Sequence, residues 1–237
     1  KVKNNTNIPV NLYPYGLIRR SGEPETIDFF VLHEGPLGVF DGSLKEKSYS
    51  DLKESGQKGI SINPESKGGW IGITDKYWMA ALIPEQKEKS NFTYRYIKNS
   101  SSYQTDFLGS LTKIPSKSEK TISSRVFSGA KKLNLLDKYE EDLKIKNFDL
   151  AIDFGWFYFL TKPFFYALSW ANNFLGNFGL AILAITVVVK IVFFPLANKS
   201  YKSMARMRVL TPQLQKLRER FGNDRQKMNV EMMALYK

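Results

Sequence analysis

Cysteine is absent from the 237-residue sequence, and histidine occurs only once. The absence of thiols excludes disulfide bonds, thiolate nucleophiles and zinc–thiolate sites, so cysteine usage gives no indication of the compartment. The sequence also lacks a Walker-type loop, a dinucleotide-binding fingerprint, a zinc-protease motif and a nucleophile elbow. We therefore expect no catalytic residue, no metal site and no cofactor.

Acidic residues are scarce in the last part of the chain. Lys and Arg outnumber Asp and Glu by 23 to 18 in residues 1–148, equal them at 2 to 2 in residues 149–197, and outnumber them by 10 to 3 in residues 198–237. The net charge of +12 is thus concentrated after the most apolar segment. This distribution favours a role at a membrane and gives no indication of DNA binding.

Short β-rich runs separated by turn-forming residues fill residues 1–127. The clearest runs are residues 70–74, 77–83, 92–97 and 101–108. Several short strands at this spacing are typical of a β-sandwich or a barrel-like domain. Since 43% of the residues are hydrophobic, the chain is able to bury a core of that kind.

Residues 128–148 follow a helical period rather than a strand period. Apolar side chains recur on one side and charged side chains lie elsewhere, which predicts an amphipathic helix at the end of the β domain. The apolar side contains Leu133, Leu136, Tyr139 and Leu143.

Residues 149–175 are rich in aromatic residues but are interrupted by polar ones such as Lys162 and Asn172. A helical projection places the apolar side chains on one broad side and most of the polar ones opposite. Because aromatic rings tolerate the headgroup region of a bilayer, we predict a helix that lies in the membrane interface. A core helix of the soluble domain is the alternative. The predicted membrane anchors are Trp156, Phe159, Phe164 and Trp170.

Residues 178–197 form an apolar segment of about 30 Å in helical form, which matches the hydrocarbon thickness of a bilayer. Basic residues follow the segment at Lys199, Lys202, Arg206 and Arg208. By the positive-inside rule, we expect residues 198–237 in the cytoplasm and the β domain on the other side of the membrane.

Lys190 is the single charged residue inside this apolar segment. A charge at that depth costs about 2.5 kcal/mol or more, so it normally faces a water-filled cavity or a polar partner. Snorkelling of the lysine stem toward the cytoplasmic headgroups is the alternative.

Residues 198–237 show two apolar helical periods separated by Gly222 and its neighbours, which predict a helical hairpin with a kink or break at Thr211-Pro212. Its methionines suit transient contact with apolar clients, although they also suit the packing of the hairpin itself. Its basic faces suit ribosomal RNA or anionic lipid, although a solvated surface that fixes topology is a simpler explanation. The candidate contact residues are Met204, Arg206, Met207, Arg208, Met228 and Met232.

His33 and Glu34 are the only acid–base pair in the β domain that suggests sugar chemistry. Neighbouring residues of a strand point to opposite faces, so the pair is weak support for catalysis.

Six motifs occur together in one order along the chain. They are Ser66-Lys67-Gly68-Gly69-Trp70, Asp153-Phe154-Gly155-Trp156, Gly176-Asn177-Phe178-Gly179, Phe194-Pro195-Leu196, Ser203-Met204-Ala205-Arg206-Met207-Arg208 and Glu231-Met232-Met233-Ala234-Leu235-Tyr236-Lys237. In this order and spacing they resemble the bacterial YidC membrane protein insertase family, strongly from Asp149 to the end and less continuously before it.

The resemblance implies a fragment of a multi-domain membrane protein, and the absence of a signal-peptide pattern at the start agrees with an internal fragment. Its expected parts are an all-β supersandwich periplasmic domain in residues 1–127 with a helical end in 128–148, an amphipathic interfacial helix in 149–175, the first of five core membrane helices in 178–197, and most of a cytoplasmic helical hairpin in 198–237. Lys190 takes the place of a basic residue, usually arginine, that faces a hydrophilic groove in the family. Lysine keeps the charge but loses the bidentate fork.

The resemblance further implies a membrane insertase and chaperone without covalent chemistry, which acts alone or with the Sec translocon in the bacterial inner membrane. Its expected partners are nascent membrane proteins, the Sec translocon and the lipid bilayer, with the ribosome as a further candidate. Two other hypotheses remain open. One is a membrane-anchored carbohydrate-binding or carbohydrate-active β domain, and the other is a ribosome or lipid tether that works only through the basic hairpin.

Overall fold

The computed structural model describes residues 1–25, 32–55 and 60–221, and the side chains within that range except for residues 61–64 and several after 205. The chain divides into two compact units, Lys1–Gly155 and Trp156–Lys237.

The first unit is built mainly from antiparallel strands. In the described ranges these are β1 (Val2–Lys3), β2 (Val10–Leu12), β3 (Tyr15–Ser21), β4 (Gly35–Phe40), β5 (Ser43–Glu46), β6 (Ile60–Lys67), β7 (Trp70–Thr74), β8 (Trp78–Ile83), β9 (Lys89–Ile97), β10 (Ser102–Gly109), β11 (Thr112–Ile114), β12 (Glu119–Lys120) and β13 (Arg125–Ala130). Helix α1 spans Tyr49–Ser55 and helix α2 spans Leu133–Leu143, and short 3-10 helices lie at Lys98–Ser100 and Phe148–Ala151.

Two sheets make the body of this unit. One has four strands in the order β3-β10-β9-β6, and the other has five in the order β13-β8-β7-β4-β5. Strand pairs β1-β12 and β11-β2 form two small additional sheets. The two larger sheets confirm the predicted sandwich, and the predicted strand runs agree with β7, β8, β9 and β10.

The five-stranded sheet is covered on both faces, and strand alternation explains how. In β8, Met79, Ala81 and Ile83 join a core with α2 and the 3-10 helix at Phe148–Ala151. Leu82 points the other way, into a second core with the four-stranded sheet. Because side chains of a strand alternate between faces, this single strand contributes to both cores. The first unit therefore has three layers.

Helix α2 confirms the predicted amphipathic helix, but the predicted start at residue 128 is wrong. Ser128, Gly129 and Ala130 pair with β8 as the end of β13. Pairing with β8 satisfies their backbone groups, and this overrides the weak helical period at the start of the segment. Leu133 and Leu136 are buried on the predicted apolar side.

Glu140 fastens α2 to the segment that ends the β domain. Its Oε2 accepts hydrogen bonds from the backbone N–H groups of Phe148, at 2.9 Å, and Asp149, at 3.3 Å. These N–H groups belong to the first turn of a 3-10 helix and have no partner within it. Burial raises the pKa of Glu140, and the charge of the nearby Asp149 carboxylate acts in the same direction.

The Ser66–Trp70 motif forms the turn that leads from the four-stranded to the five-stranded sheet. Gly69 has a φ of +99°, and a Cβ on it would lie 2.1 Å from the carbonyl oxygen of Val39. The side chain of Gln86 holds the same turn, since it accepts the N–H of Gly69 at 3.0 Å and donates to its carbonyl at 2.8 Å. The most distinctive motif of the β domain is therefore structural.

The second unit consists of two helices in its described part, α3 (Tyr158–Leu175) and α4 (Phe178–Phe221). Helix α4 is continuous for 44 residues and contains Pro195 and Pro212. The helix continues through Thr211-Pro212, so it has no break there, since proline removes only one backbone hydrogen bond. A kink at this position stays a prediction. The predicted second arm of the hairpin lies outside the described residues.

We expect Gly69→Ala to lower the free energy of unfolding of the β domain by about 2 kcal/mol or more, because it combines left-handed strain with a backbone clash. Gly42→Ala is the matched control, since Gly42 also has a positive φ, +81°, but open space around its Cβ position. Denaturant unfolding of both variants checks this. Equal losses in the two variants would show that the Val39 contact contributes nothing.

Candidate functional site

Helix α3 begins later than the predicted residue 149 because a turn precedes it. Asp153 Oδ1 accepts the N–H of Gly155 at 2.8 Å, and Gly155 has a φ of +66°. This short-range hydrogen bond competes with helix formation, as is common for Asp. The helical segment therefore starts at Tyr158.

Aromatic side chains form a ridge along one side of α3, which we define as Phe159, Trp170 and Phe174. They are 75%, 70% and 79% exposed. At about 100° per residue, all three fall within about 60° of one another around the helix. The rings of Trp170 and Phe174 stack, with centroids 6.0 Å apart and an angle of 7°. Trp156, just before the helix, is 99% exposed.

A tight turn joins α3 to α4 and explains the Gly176-Asn177-Phe178-Gly179 motif. Gly176 ends α3 in a left-handed conformation, with its N–H donating to the carbonyl of Asn172 at 2.8 Å. Asn177 then starts α4, because its side-chain oxygen accepts the N–H of Leu180 at 3.2 Å. These are typical C-terminal and N-terminal helix caps.

Two alanines mark the contact between α3 and α4. Ala171 is 4% exposed and Ala181 is 0% exposed, whereas most of the surrounding side chains on both helices are exposed. Small side chains allow the backbones of two helices to approach closely. Phe164 is seven residues before Ala171 and therefore lies on nearly the same side of α3.

Lys190 lies on the side of α4 that faces away from α3. It follows Ala181 by nine residues, which is a rotation of about 180°. Val187, Ile191 and Phe194 line a shallow apolar hollow around it. Among the described residues no ion pair involves Lys190. The hydroxyl of Thr186, one turn earlier, donates to the carbonyl of Ile182 at 2.7 Å.

The part of α4 that is apolar and long enough to cross a membrane is Phe178–Ala205. Only 6% of its most apolar stretch is buried, unlike the core helix of a soluble protein. The helix does not end near residue 197, so the predicted spanning segment and the first basic residues after it lie on one continuous helix.

His33 does not lie beside a catalytic partner in the described part of the β domain. It precedes β4 in an irregular segment, and its Nε2 is 3.2 Å from the carbonyl oxygen of Pro36. The described residues contain no group of three or more His, Cys, Asp and Glu side chains able to hold a metal ion.

Two family models match the chain almost end to end. The model for the YidC periplasmic domain matches residues 1–167, and the model for the 60Kd inner membrane protein family matches residues 170–237. The chain belongs to the YidC membrane protein insertase family. The boundary between the two matches falls inside α3.

Curated relatives support the same assignment. A membrane protein insertase YidC of Granulibacter bethesdensis is 46% identical over 241 residues, which cover 100% of this chain and 42% of the relative. Those of Rickettsia bellii and Rickettsia prowazekii are each 44% identical and cover 100% and 99% of this chain, again with 42% of the relative. The chain thus spans about two fifths of the length of these YidC proteins.

Membership of the YidC family gives the two units their location. The β domain is a periplasmic domain, and the chain is part of an inner membrane protein. Helix α4 supplies the described segment that is able to cross that membrane.

The structure brings the predicted site residues of this YidC chain to different surfaces. Trp156, Phe159 and Trp170 are strongly exposed, and Phe164 is 36% exposed on nearly the same side of α3 as Ala171. Met204, Met207 and Arg208 are exposed on α4, and Lys190 lies nearer its start. The side chain of Arg206, and all of Met228 and Met232, lie outside the described part of the chain. The roles of all these predicted site residues stay predictions.

The contact of the two alanines, Ala171 and Ala181, was not predicted from the sequence. The available signal was their position, five residues before Gly176 and five residues after it, in an otherwise bulky apolar sequence. Two small residues equidistant from a cap motif indicate where a helical hairpin closes.

The absence of native cysteine makes this contact directly testable. We expect Ala171→Cys combined with Ala181→Cys to crosslink efficiently with a short bifunctional thiol reagent in membranes. Phe174→Cys combined with Ala181→Cys is the control, because Phe174 lies on the exposed ridge, and it should react several-fold less. Gel mobility of the intact chain measures both, and equal crosslinking would contradict the helix packing.

Proposed function

We propose that the full-length protein is a membrane insertase and chaperone that helps integral membrane proteins enter and fold in the inner membrane, alone or with the Sec translocon, without forming covalent intermediates. Residues after the spanning segment lie in the cytoplasm in this proposal. The position of Lys190 is the main support for this proposal. A cation on an apolar helix requires a polar environment, whereas a simple membrane anchor requires none.

Lys190 supports a hydrophilic groove by its position on the helix. Its side of α4 is turned away from the one described helix that packs against α4, and the side chains around it are apolar. Exposure of the ammonium group to lipid there would cost about 2.5 to 3.5 kcal/mol. A water-filled groove that is closed by further membrane helices removes this cost. Lys190 then provides a cation for polar or acidic client segments.

Such a groove lowers the barrier to insertion by shortening the apolar path. The polar end of a client enters the groove from the cytoplasm and crosses only the remaining part of the hydrocarbon, while its apolar segment moves into lipid. Lys190 attracts acidic side chains during this passage and releases them afterwards, since nothing holds them covalently.

The aromatic ridge and the basic end of α4 have supporting roles. Phe159, Trp170 and Phe174 expose large rings on α3, which suits a helix anchored at the membrane surface. Met204 lies at the end of the segment Phe178–Ala205, and Met207 and Arg208 follow it. All three are exposed and suit clients or the ribosome. Nascent membrane proteins are therefore the proposed substrates, with the Sec translocon and the ribosome as proposed partners.

A carbohydrate-active β domain is not favoured. The one imidazole of the chain has a backbone carbonyl as its described partner, not a carboxylate. General acid–base catalysis needs two titratable groups within reach of a substrate, and among the described residues no hydrogen bond joins His33 to a carboxylate.

Depletion of the endogenous insertase and complementation with full-length variants tests the role of Lys190. We expect Lys190→Ala and Lys190→Glu to lower insertion of a single-span client with an acidic tail by about tenfold, which corresponds to about 1.4 kcal/mol. Lys190→Arg should retain most activity because it keeps the charge. Protease accessibility of the client tail measures insertion.

Leu183→Ala is the matched control, since Leu183 lies seven residues before Lys190 on nearly the same side of α4 and is exposed. It should insert the client normally. Normal insertion by both Lys190→Ala and Lys190→Glu would refute the groove cation, and would favour a tether that acts only through the basic end of α4.

A further inference from the structure

The edge of β3 is open along its whole length in the described part of the molecule. Among the described strands, β3 pairs only with β10. The hydrogen bonds of Gly109 to Pro14, at 2.7 Å, and of Gly22 to Ser101, at 3.1 Å, fix which residues bond across this pair. Because bonded and non-bonded pairs alternate in an antiparallel ladder, Gly16, Ile18 and Arg20 bond to β10. The backbone groups of Tyr15, Leu17, Arg19 and Ser21 therefore point outward along the open edge.

The five-stranded sheet extends beyond this edge. Its strands β8 and β13 place Trp78 and Val126 on the face that elsewhere packs against the four-stranded sheet. Trp78 is 63% exposed and Val126 is 69% exposed, so no described strand covers them. By contrast Leu82, which pairs with Val126 on the same face, is 6% exposed. At this corner the five-stranded sheet therefore has no partner strand among the described residues.

A crevice lies between the edge of β3 and the uncovered part of the five-stranded sheet. Ile18, Arg19 and Arg20 of β3 line one side, and Ile73, Ala80 and Ser128 of the five-stranded sheet line the floor. An extended chain laid beside β3 would hydrogen-bond to the outward backbone groups and cover the apolar floor with alternate side chains.

The crevice accommodates one strand but not a second copy of the sheet. If β3 of another copy paired with β3, the rest of its sheet would have to lie over β8 and β13, which extend past the edge. An overhanging layer of this kind is a common way to prevent edge-to-edge association. This excludes a symmetric dimer through β3 and leaves a single extended segment as the occupant.

The charges beside the open edge define the chemistry of that segment. Arg20 faces the crevice, but it pairs with Asp75 and also feels the charge of Glu34. Arg19 alternates with Ile18, which packs into the core between the sheets, so the Arg19 side chain lies on the outer face of β3. The guanidinium of Arg19 donates to Gln104, at 2.7 Å and 3.2 Å, so a neutral group and not a carboxylate holds it in place. An added strand would place alternate side chains on this outer face, where the Arg19 guanidinium complements an acidic side chain.

We infer that the open edge of β3 binds an extended polypeptide segment of another protein on the periplasmic side, with small apolar residues at alternate positions and at least one acidic residue. Binding adds a fifth strand to the four-stranded sheet. The site is separate from Lys190, and it stands whether or not the insertase proposal holds.

A synthetic peptide tests this with the 237-residue chain in lipid nanodiscs. The probe is a labelled nine-residue peptide of alternating valine and threonine with one glutamate, and fluorescence anisotropy measures its affinity. In two further probes the backbone amides are N-methylated, at the odd residues in one peptide and at the even residues in the other. We expect one of these to bind at least about tenfold more weakly and the other to bind normally, because only one set of amides faces β3.

Variants of the crevice provide the second arm of the test. Leu17→Pro removes an outward N–H without removing a bond to β10, and Ala80→Leu fills the floor. Each should weaken binding about tenfold, whereas the control Leu17→Thr, which keeps the N–H, should not. Thermal unfolding confirms that each variant is folded. Hydrogen exchange within residues 15–21 should slow when the unmodified peptide binds.

The inference is wrong if the unmodified peptide does not bind, or if both N-methylated peptides bind equally well. It is also wrong if Ala80→Leu and Leu17→Pro, both folded, leave the affinity unchanged. Hydrogen exchange of residues 15–21 could instead slow without peptide, and only at high protein concentration. That result would assign the edge to self-association and overturn the inference.

Discussion

The cost of placing an ammonium group in hydrocarbon is the constraint on which the membrane part of this molecule depends. Helix α4 offers Lys190 no ion pair among the described residues, and its nearest side chains are apolar. A helix that served only as an anchor would be more stable with an apolar residue at this position. In the proposed function, the cation on the side away from α3 faces a polar space in the complete protein, and the proposed client path follows from that space.

The two units distribute their apolar residues in opposite ways. In the β domain the large side chains lie between layers, as Trp70 and Phe148 do with ring centroids 5.4 Å apart. In the second unit the contact between helices is made by alanines, while bulky side chains face outward. Water explains the first arrangement through the hydrophobic effect. A bilayer explains the second, since lipid tails solvate bulky apolar side chains and close packing needs small ones.

The sequence predicts the elements that have a clear period and fails where tertiary contacts decide. Strand β7 and the apolar side of α2 follow from alternation and from helical spacing. The end of β13 at Ala130 does not, because its pairing with β8 overrides the local pattern. The late start of α3 depends on one hydrogen bond from Gly155 to Asp153, which the motif suggests only after the turn is seen. The continuation of α4 through Pro212 is also not evident from the local sequence, because it depends on the whole helix.

The candidate site shows the same division. Lys190 stands out in the sequence because it is the one charge in an apolar segment, but its direction follows only from the buried Ala181. The open edge of β3 has no sequence signal at all, since it depends on which strands pair and how far the opposite sheet extends. Features that are defined by a missing neighbour can be found only when the neighbours are placed.

Site-specific photocrosslinking to a stalled nascent membrane protein tests the central claim most directly. A photoreactive residue at position 190 of the full-length protein should crosslink the client while its polar tail is crossing. The same residue at position 188, at similar depth but about 160° around the helix, should give several-fold less product. Equal client crosslinking from both positions, or crosslinking of position 190 to lipid alone, would contradict a client path along the Lys190 side of α4.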